Sequence, residues 1–164
     1  MIVEKNSMRD LKIAYIGEGS RAWARKLMSD LAQEKSMSGK MYLYDIDLET
    51  AKKNAEIGNL IKREYPDAAE WEYHASRTLR DAVKNASFIV ISILLGTFDE
   101  MASDVHTPEK YGIYQSVGDT AGPGGILRSL HTIPMYVEIA EAIRDYAPDA
   151  WVINYTNPMT VCAL

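Results

Sequence analysis

An α/β fold built on a doubly wound parallel sheet is the architecture this 164-residue sequence predicts, and three observations predict it. Short apolar runs alternate with amphipathic helical patterns from Leu11 to Tyr155, the order that gives a parallel sheet with right-handed helical crossovers. The first run, Ile13 to Ile16, ends in Gly17-Glu18-Gly19-Ser20-Arg21-Ala22 and leads directly into a helical pattern. The run from Phe88 to Leu94, FIVISIL, is nearly unbroken in apolar residues, as a strand covered on both faces requires.

The glycine turn is the element around which the others are arranged. In a Rossmann-like dinucleotide-binding unit the first glycine permits a tight turn, the second lets a pyrophosphate reach the backbone, and a small third residue lets helix and strand pack closely. Gly17, Gly19 and Ala22 occupy those places, and Ser20 is suited to cap the helix and donate a hydroxyl to phosphate. The helix predicted from Ser20 to Glu34 carries Trp23, Leu27 and Leu31, with Ala24 and Met28 beside them, as a stripe for the sheet. Lys35 to Lys40 reads as a loop hinged at Gly39, and Met41 to Ile46 as the second strand. That strand ends in Asp45-Ile46-Asp47. An acid there accepts hydrogen bonds from the adenosine ribose and repels a 2′-phosphate, so NAD is the expected cofactor, with Asp45 as the ribose acid and Asp47 as the cap of the next helix.

Leu48 to Tyr65 reads as a helix ended by Pro66, Glu70 to His74 as the third strand, Arg77 to Asn85 as a short helix and Phe88 to Leu94 as the fourth strand. Gly96, leaving the carboxyl end of that strand, is a place where backbone can approach cofactor or substrate. A helix interrupted by Pro108 is expected from Phe98 to Tyr111. Gln115 to Gly125, QSVGDTAGPGG, is expected to be a binding loop and not a helix or central strand. Ile126 to Tyr146 reads as a helix kinked or restarted at Pro134, and Ala150 to Tyr155 as the fifth strand. Asn157 then reads as the cap of a new helix with Pro158 at its first position. Only six residues follow Pro158, so the sequence is expected to be one nucleotide-binding domain, residues 1–164, of a longer enzyme.

Composition excludes several classes. The chain is 47% hydrophobic and 25% charged, which suits a globular domain, and its net charge of −5 and pI of about 5.2 suggest no nucleic-acid face. No apolar run is long enough for a membrane span and the N-terminus lacks a signal-peptide pattern, so a cytoplasmic, membrane-free protein is expected. Cys162 is the one cysteine and reads as a buried structural thiol. His74, His106 and His131 have no metal-ligand spacing and read as surface or hydrogen-bonded residues. Tyr114, Tyr136 and Tyr155 read as packing residues, Asp99, Glu100 and Asp104 as a solvated face, and Trp23, Trp71 and Trp151 as lying on elements that face the sheet or its edge.

The segments KIAYIGEGS, LYDID, GDTAGPGG, HTIPM and WVINYTNPM together resemble the NAD-binding domain of glycoside hydrolase family 4, and SILLGTFDEMASDVHTPEKYGIYQSVGDTAGPGG resembles its alpha-galacturonidase branch. The resemblance implies hydrolysis by a redox route. NAD takes a hydride from C3 of the sugar, a base removes the C2 proton, the aglycone leaves, water adds and the hydride returns, with a manganese ion polarising the C3 oxygen. It implies roles in cofactor binding for Gly17, Gly19, Ser20 and Asp45, and in sugar binding for Asn157 and Asp119. Leu94 stands where members acting on 6-phosphorylated sugars carry an arginine, which favours a non-phosphorylated substrate. His131 stands where many members have arginine. The metal ligands and the base tyrosine of the family lie downstream of this sequence, so no complete metal or catalytic site is expected in it, and a surface left bare from Ile153 to Leu164 would favour a homo-oligomer. The alternatives are the cofactor domain of a 2-hydroxy-acid dehydrogenase, a stand-alone NAD-binding module, or another family 4 specificity. The dehydrogenase is disfavoured because the loop after the fourth strand has no arginine.

Overall fold

A computed structural model describes residues 1–17 and 23–164. The helix start expected at Ser20, with Gly19 and Ala22, lies outside the described residues. The chain divides into two compact units, Met1–Ser92 with Ala142–Ile153, and Ile93–Glu141 with Asn154–Leu164.

The first unit carries the sheet. Its strands are β1 (Ile2–Glu4), β2 (Ser7–Ile16), β3 (Met37–Tyr44), β4 (Trp71–Ala75), β5 (Phe88–Ile91) and β6 (Trp151–Asn154, whose last residue belongs to the second unit), in the order β4-β3-β2-β5-β6. β2 is parallel to both β3 and β5, and β3 is parallel to β4. The helices between them are α1 (Trp23–Gln33), α2 (Leu48–Glu64) and α3 (Leu79–Val83). This is the expected parallel α/β sheet, with six strands where five were expected. The sixth is β1, which pairs antiparallel with the start of β2 through Ile2 and Arg9.

Two strand starts differ from the sequence reading, for one reason. β2 begins at Ser7 and β3 at Met37, each several residues before its apolar run, because mostly polar leading residues extend the ladders, with only Met8 and Met37 among them packing partly buried against the core. Of the expected Lys35–Lys40 loop only Lys35 and Ser36 form a turn, the rest belongs to β3, and Gly39 is not a hinge. Gly39 sits in β3 opposite Leu11, where an added Cβ would stand 2.1 Å from the Leu11 carbonyl oxygen.

The buried core centres on Met28, Met41 and Leu43, each fully buried, with Ala51 and Tyr73 beside them. Such a side chain contributes about 1.5–3 kcal/mol when removed from water. On α1 Ala24, Met28 and Leu31 are buried and Leu27 packs partly buried against the core, as the stripe predicts, whereas Trp23 is 65% exposed. Trp71 is buried as expected, while Trp151 is exposed.

α2 follows its sequence signals closely. Asp47 caps it, accepting from the Thr50 backbone N–H at 3.1 Å and the Thr50 hydroxyl at 2.6 Å. Near its far end, Asn59 closes the outer edge of β4: its amide donates to the Tyr73 carbonyl at 2.8 Å and accepts from the Tyr73 N–H at 2.9 Å. A side chain here takes the place of a further strand, which blunts an edge otherwise open to pairing. Asn59→Ala leaves both groups of Tyr73 without these partners, and is expected to cost about 2 kcal/mol in urea unfolding. A loss of under about 0.5 kcal/mol would contradict this assignment.

The second unit contains α4 (Phe98–His106), a 3₁₀ turn (Thr107–Tyr111), most of α5 (Gly122–Tyr146) and α6 (Met159–Cys162). Pro108 opens the 3₁₀ turn, the interruption expected from the sequence. α5 begins four residues before Ile126, so GPGG is its first turn and not loop; proline is tolerated there because the first N–H groups of a helix have no intrahelical partner. The helix also runs through Pro134 without a restart. Asn157 is not a helix cap: Pro158 holds that position, with no side-chain cap bond. Among the described residues no helix is long and apolar enough to cross a membrane.

Candidate functional site

In the first unit, the carboxyl ends of the parallel strands carry Gly17, Asp45 and Asp47. Gly17 takes φ +84, a conformation costly to any residue with a Cβ, while its N–H donates to the Tyr44 carbonyl at 2.9 Å and holds the ends of β2 and β3 together. Asp45 is half-buried just beyond β3, its Oδ1 accepting from the Asp47 N–H at 2.8 Å. The Asp47 carboxylate is committed to Thr50, which pulls it below the usual aspartate pKa. Gly19 and Ser20 lie outside the described residues.

In the second unit, Gly96 has φ +82 and immediately precedes a capping box. The Thr97 N–H donates to Glu100 Oε2 at 2.6 Å, and the Glu100 N–H donates back to the Thr97 hydroxyl at 3.2 Å. The Thr97 backbone bond, followed by its hydroxyl, holds the Glu100 carboxyl below the ordinary value of 4.5. A depressed folded-state pKa adds stability above the unfolded value and loses it as pH falls through the folded one. Acidification below about 4.5 is therefore expected to fray the first turn of α4 and release the Gly96 turn, seen as loss of amide protection at Thr97. Protection at Thr97 that persists after Glu100 itself has been protonated, as followed by its own NMR titration, would contradict it.

The Gln115–Gly125 segment folds onto the start of α5. Gln115 Oε1 accepts from the Gly124 N–H at 3.2 Å, and a Cβ at Gly124 would press on both the Gln115 amide and the Asp104 carbonyl. Asp119 pairs with Arg128 of α5, Nη1 lying 2.7 Å from Oδ1. Oδ1 is buried with no hydrogen bond aligned on it, so charge holds the pair. The Arg128 side chain is 10% exposed and that of Asp119 27%.

A third cluster sits around Asn154. The Tyr136 hydroxyl donates to Asn154 Oδ1 at 2.5 Å, the same oxygen accepts from the Thr156 N–H at 2.8 Å, and the Thr156 hydroxyl accepts from the Ile93 N–H at 2.9 Å. Burial raises the Tyr136 hydroxyl above the usual tyrosine pKa and keeps it a donor. These bonds fix the turn that carries the exposed Asn157. Cys162 is half-buried, not fully buried as expected, and burial pushes its thiol up. Tyr114 and Tyr155 are exposed and do not serve as packing residues.

His74 and His106 contact Glu72 at 3.3 Å and Glu109 at 2.8 Å, while His131 is exposed. Among the described residues no group of three or more His, Cys, Asp or Glu could hold a metal ion. Arg128, Gln115, Asn154 and Thr156 are the polar residues that sequence reasoning missed. Their partners are two to sixty-three positions away, with no shared period to reveal them.

A parallel sheet with crossover helices and a left-handed glycine closing its central strand is a Rossmann-like fold. The family 4 glycosyl hydrolase model matches residues 12–164. An alpha-galacturonidase of Thermoanaerobacterium saccharolyticum is 61% identical over 94% of this chain and 33% of its own length, and one of Thermoanaerobacter italicus is 60% identical over 96% and 33%. A solved 6-phospho-alpha-glucosidase from gut microorganisms, in complex with NAD and Mn2+, superposes with TM-score 0.77 at 27% identity, over 94% of this chain and 35% of that one. The chain belongs to glycosyl hydrolase family 4. It spans about a third of the length of the curated relatives it matches.

Proposed function

We propose that residues 1–164 form the cofactor-binding domain of an NAD-dependent alpha-galacturonidase. The observation that carries this reading is identity of 55–61% to alpha-galacturonidases across nearly the whole chain. The residues fit NAD: Gly17 adopts the turn conformation a dinucleotide fold needs at the end of its central strand, and Asp45 places a carboxylate at the end of the next. Gly17, Gly19 and Ser20 hold the pyrophosphate, and Asp45 accepts the adenosine ribose hydroxyls. When bound, NAD supplies a hydride acceptor and donor for C3 of the sugar. Asn157 and Asp119 hold sugar hydroxyls. Manganese, present in the 6-phospho-alpha-glucosidase structure, has no fitting group of ligands among the described residues.

Leu94, 53% exposed after β5, offers no cation to a phosphate, which supports a non-phosphorylated uronide. The reading places the protein in the cytoplasm and in a homo-oligomer. Ile126, Leu130 and Val137 are 66%, 64% and 51% exposed along α5 and supply apolar surface for association. Self-association is the expected result of sedimentation at rising concentration, and a sharp monomer throughout would contradict it.

The reaction is tested with the whole gene product, NAD, Mn2+ and a thiol reductant, on nitrophenyl alpha-galacturonide and on a nitrophenyl glucoside 6-phosphate. NAD-dependent cleavage of the galacturonide is expected. Cleavage of the phosphorylated sugar alone, or cleavage indifferent to NAD, would contradict the reading.

A further inference from the structure

Within residues 93–141 and 154–164 seven carboxylates stand against two permanent cations, Lys110 and Arg128. Lys110 is exposed on the 3₁₀ turn, whereas Arg128 is buried against Asp119. A galacturonide carries a carboxylate of its own, so an unpaired Asp119 would repel it through a partly desolvated gap, where like charges interact more strongly than in water. We propose that Arg128 is a specificity-determining residue: by neutralising Asp119 it admits an anionic sugar where a bare carboxylate would select against it. This rests on the reading above, in which Asp119 faces the sugar.

The geometry suits that role. Asp119 Oδ1 is closed off from solvent against Arg128, while the Asp119 side chain as a whole stays 27% exposed. Arg128 is held on α5, where its carbonyl accepts from the Thr132 hydroxyl at 2.8 Å, and the Gln115–Gly124 bond ties the Asp119 loop to the same helix.

The test is calorimetric binding of galacturonic acid and of its neutral methyl ester to the NAD-loaded gene product. Wild type is compared with Arg128→Gln, Arg128→Lys and the double variant Arg128→Gln/Asp119→Asn. Arg128→Gln is expected to weaken the acid about tenfold more than the ester, equivalent to about 1.4 kcal/mol. Arg128→Lys is expected to recover most of that ratio, and the double variant, with neither charge, to recover it although both ligands bind less tightly. Equal losses for acid and ester in Arg128→Gln, or a double variant that stays biased against the acid, would overturn the proposal. Should Arg128→Gln not fold, as judged by its melting transition, the acid-to-ester ratio of the double variant decides alone. A wild type that binds neither sugar overturns the galacturonidase reading itself, an outcome distinct from equal losses in a protein that binds both.

Discussion

Gly39→Ala is expected to lower the unfolding free energy by about 3 kcal/mol or more, the upper range for forcing extra volume into packed structure. The added Cβ would stand 2.1 Å from the Leu11 carbonyl oxygen and 2.7 Å from its nitrogen, and both are backbone atoms of the neighbouring strand. A flexible side chain could swing aside, but β2 cannot: it is paired with β3 on one side and β5 on the other. Gly39 is itself tied to the start of β4, its N–H donating to the carbonyl of Glu70, the residue before that strand, at 3.0 Å. Relief therefore means parting the ladder that runs up to Gly17. A fall in melting temperature of about 6–12 °C is the corresponding thermal readout for a chain of this size. A variant that melts within a degree of wild type would show that the two strands do not approach so closely.

Asp45→Ala is expected to weaken NAD binding about 10- to 100-fold, the loss of hydrogen bonds to a charged acceptor. The same change removes the charge that disfavours a 2′-phosphate, so NADP should lose much less and the preference between the two cofactors should narrow. Asp47→Ala is the contrasting variant. Its carboxylate caps α2 through Thr50, so removing it loosens the first turn of that helix and leaves the cofactor preference in place. The reverse pattern, with Asp47→Ala erasing NAD selectivity and Asp45→Ala leaving it intact, would exchange the roles of the two acids.

Sequence showed most where local chemistry and periodicity coincide. Asp47 as a cap, the helix ending at Tyr65, the interruption at Pro108 and the apolar β5 were all readable because each depends on residues within a turn of one another. It showed least where polar residues carry backbone structure. Ser7, Arg9 and Asp10 extend β2 with little burial, so periodicity gave no sign of that extension or of its pairing with β1. GPGG looked like loop because glycine and proline disfavour helix interiors, yet at a first turn the missing N–H of Pro123 costs nothing. Trp23 looked like core from its spacing alone. The rest of that stripe holds, with Ala24, Met28 and Leu31 buried and Leu27 packed against the core.

Of the candidate site, the places of Gly17 at the end of β2 and of Asp45 just beyond β3 were legible because both follow from a fixed strand-to-helix grammar. The Asp119–Arg128 pair was not, since the eight intervening residues contain both a loop and a helix start, and no periodic pattern spans such a join. The Asn154 cluster was hidden for a related reason. Its partners come from α5, from the end of β6 and from Ile93, brought together only by the fold of the second unit.

Titration of the chain with NAD in a calorimeter tests the central claim most directly. One NAD per chain is expected to bind, with NADP at least about tenfold weaker, in keeping with a carboxylate beside the ribose hydroxyls. No binding of NAD, or equal binding of NAD and NADP, would contradict the account.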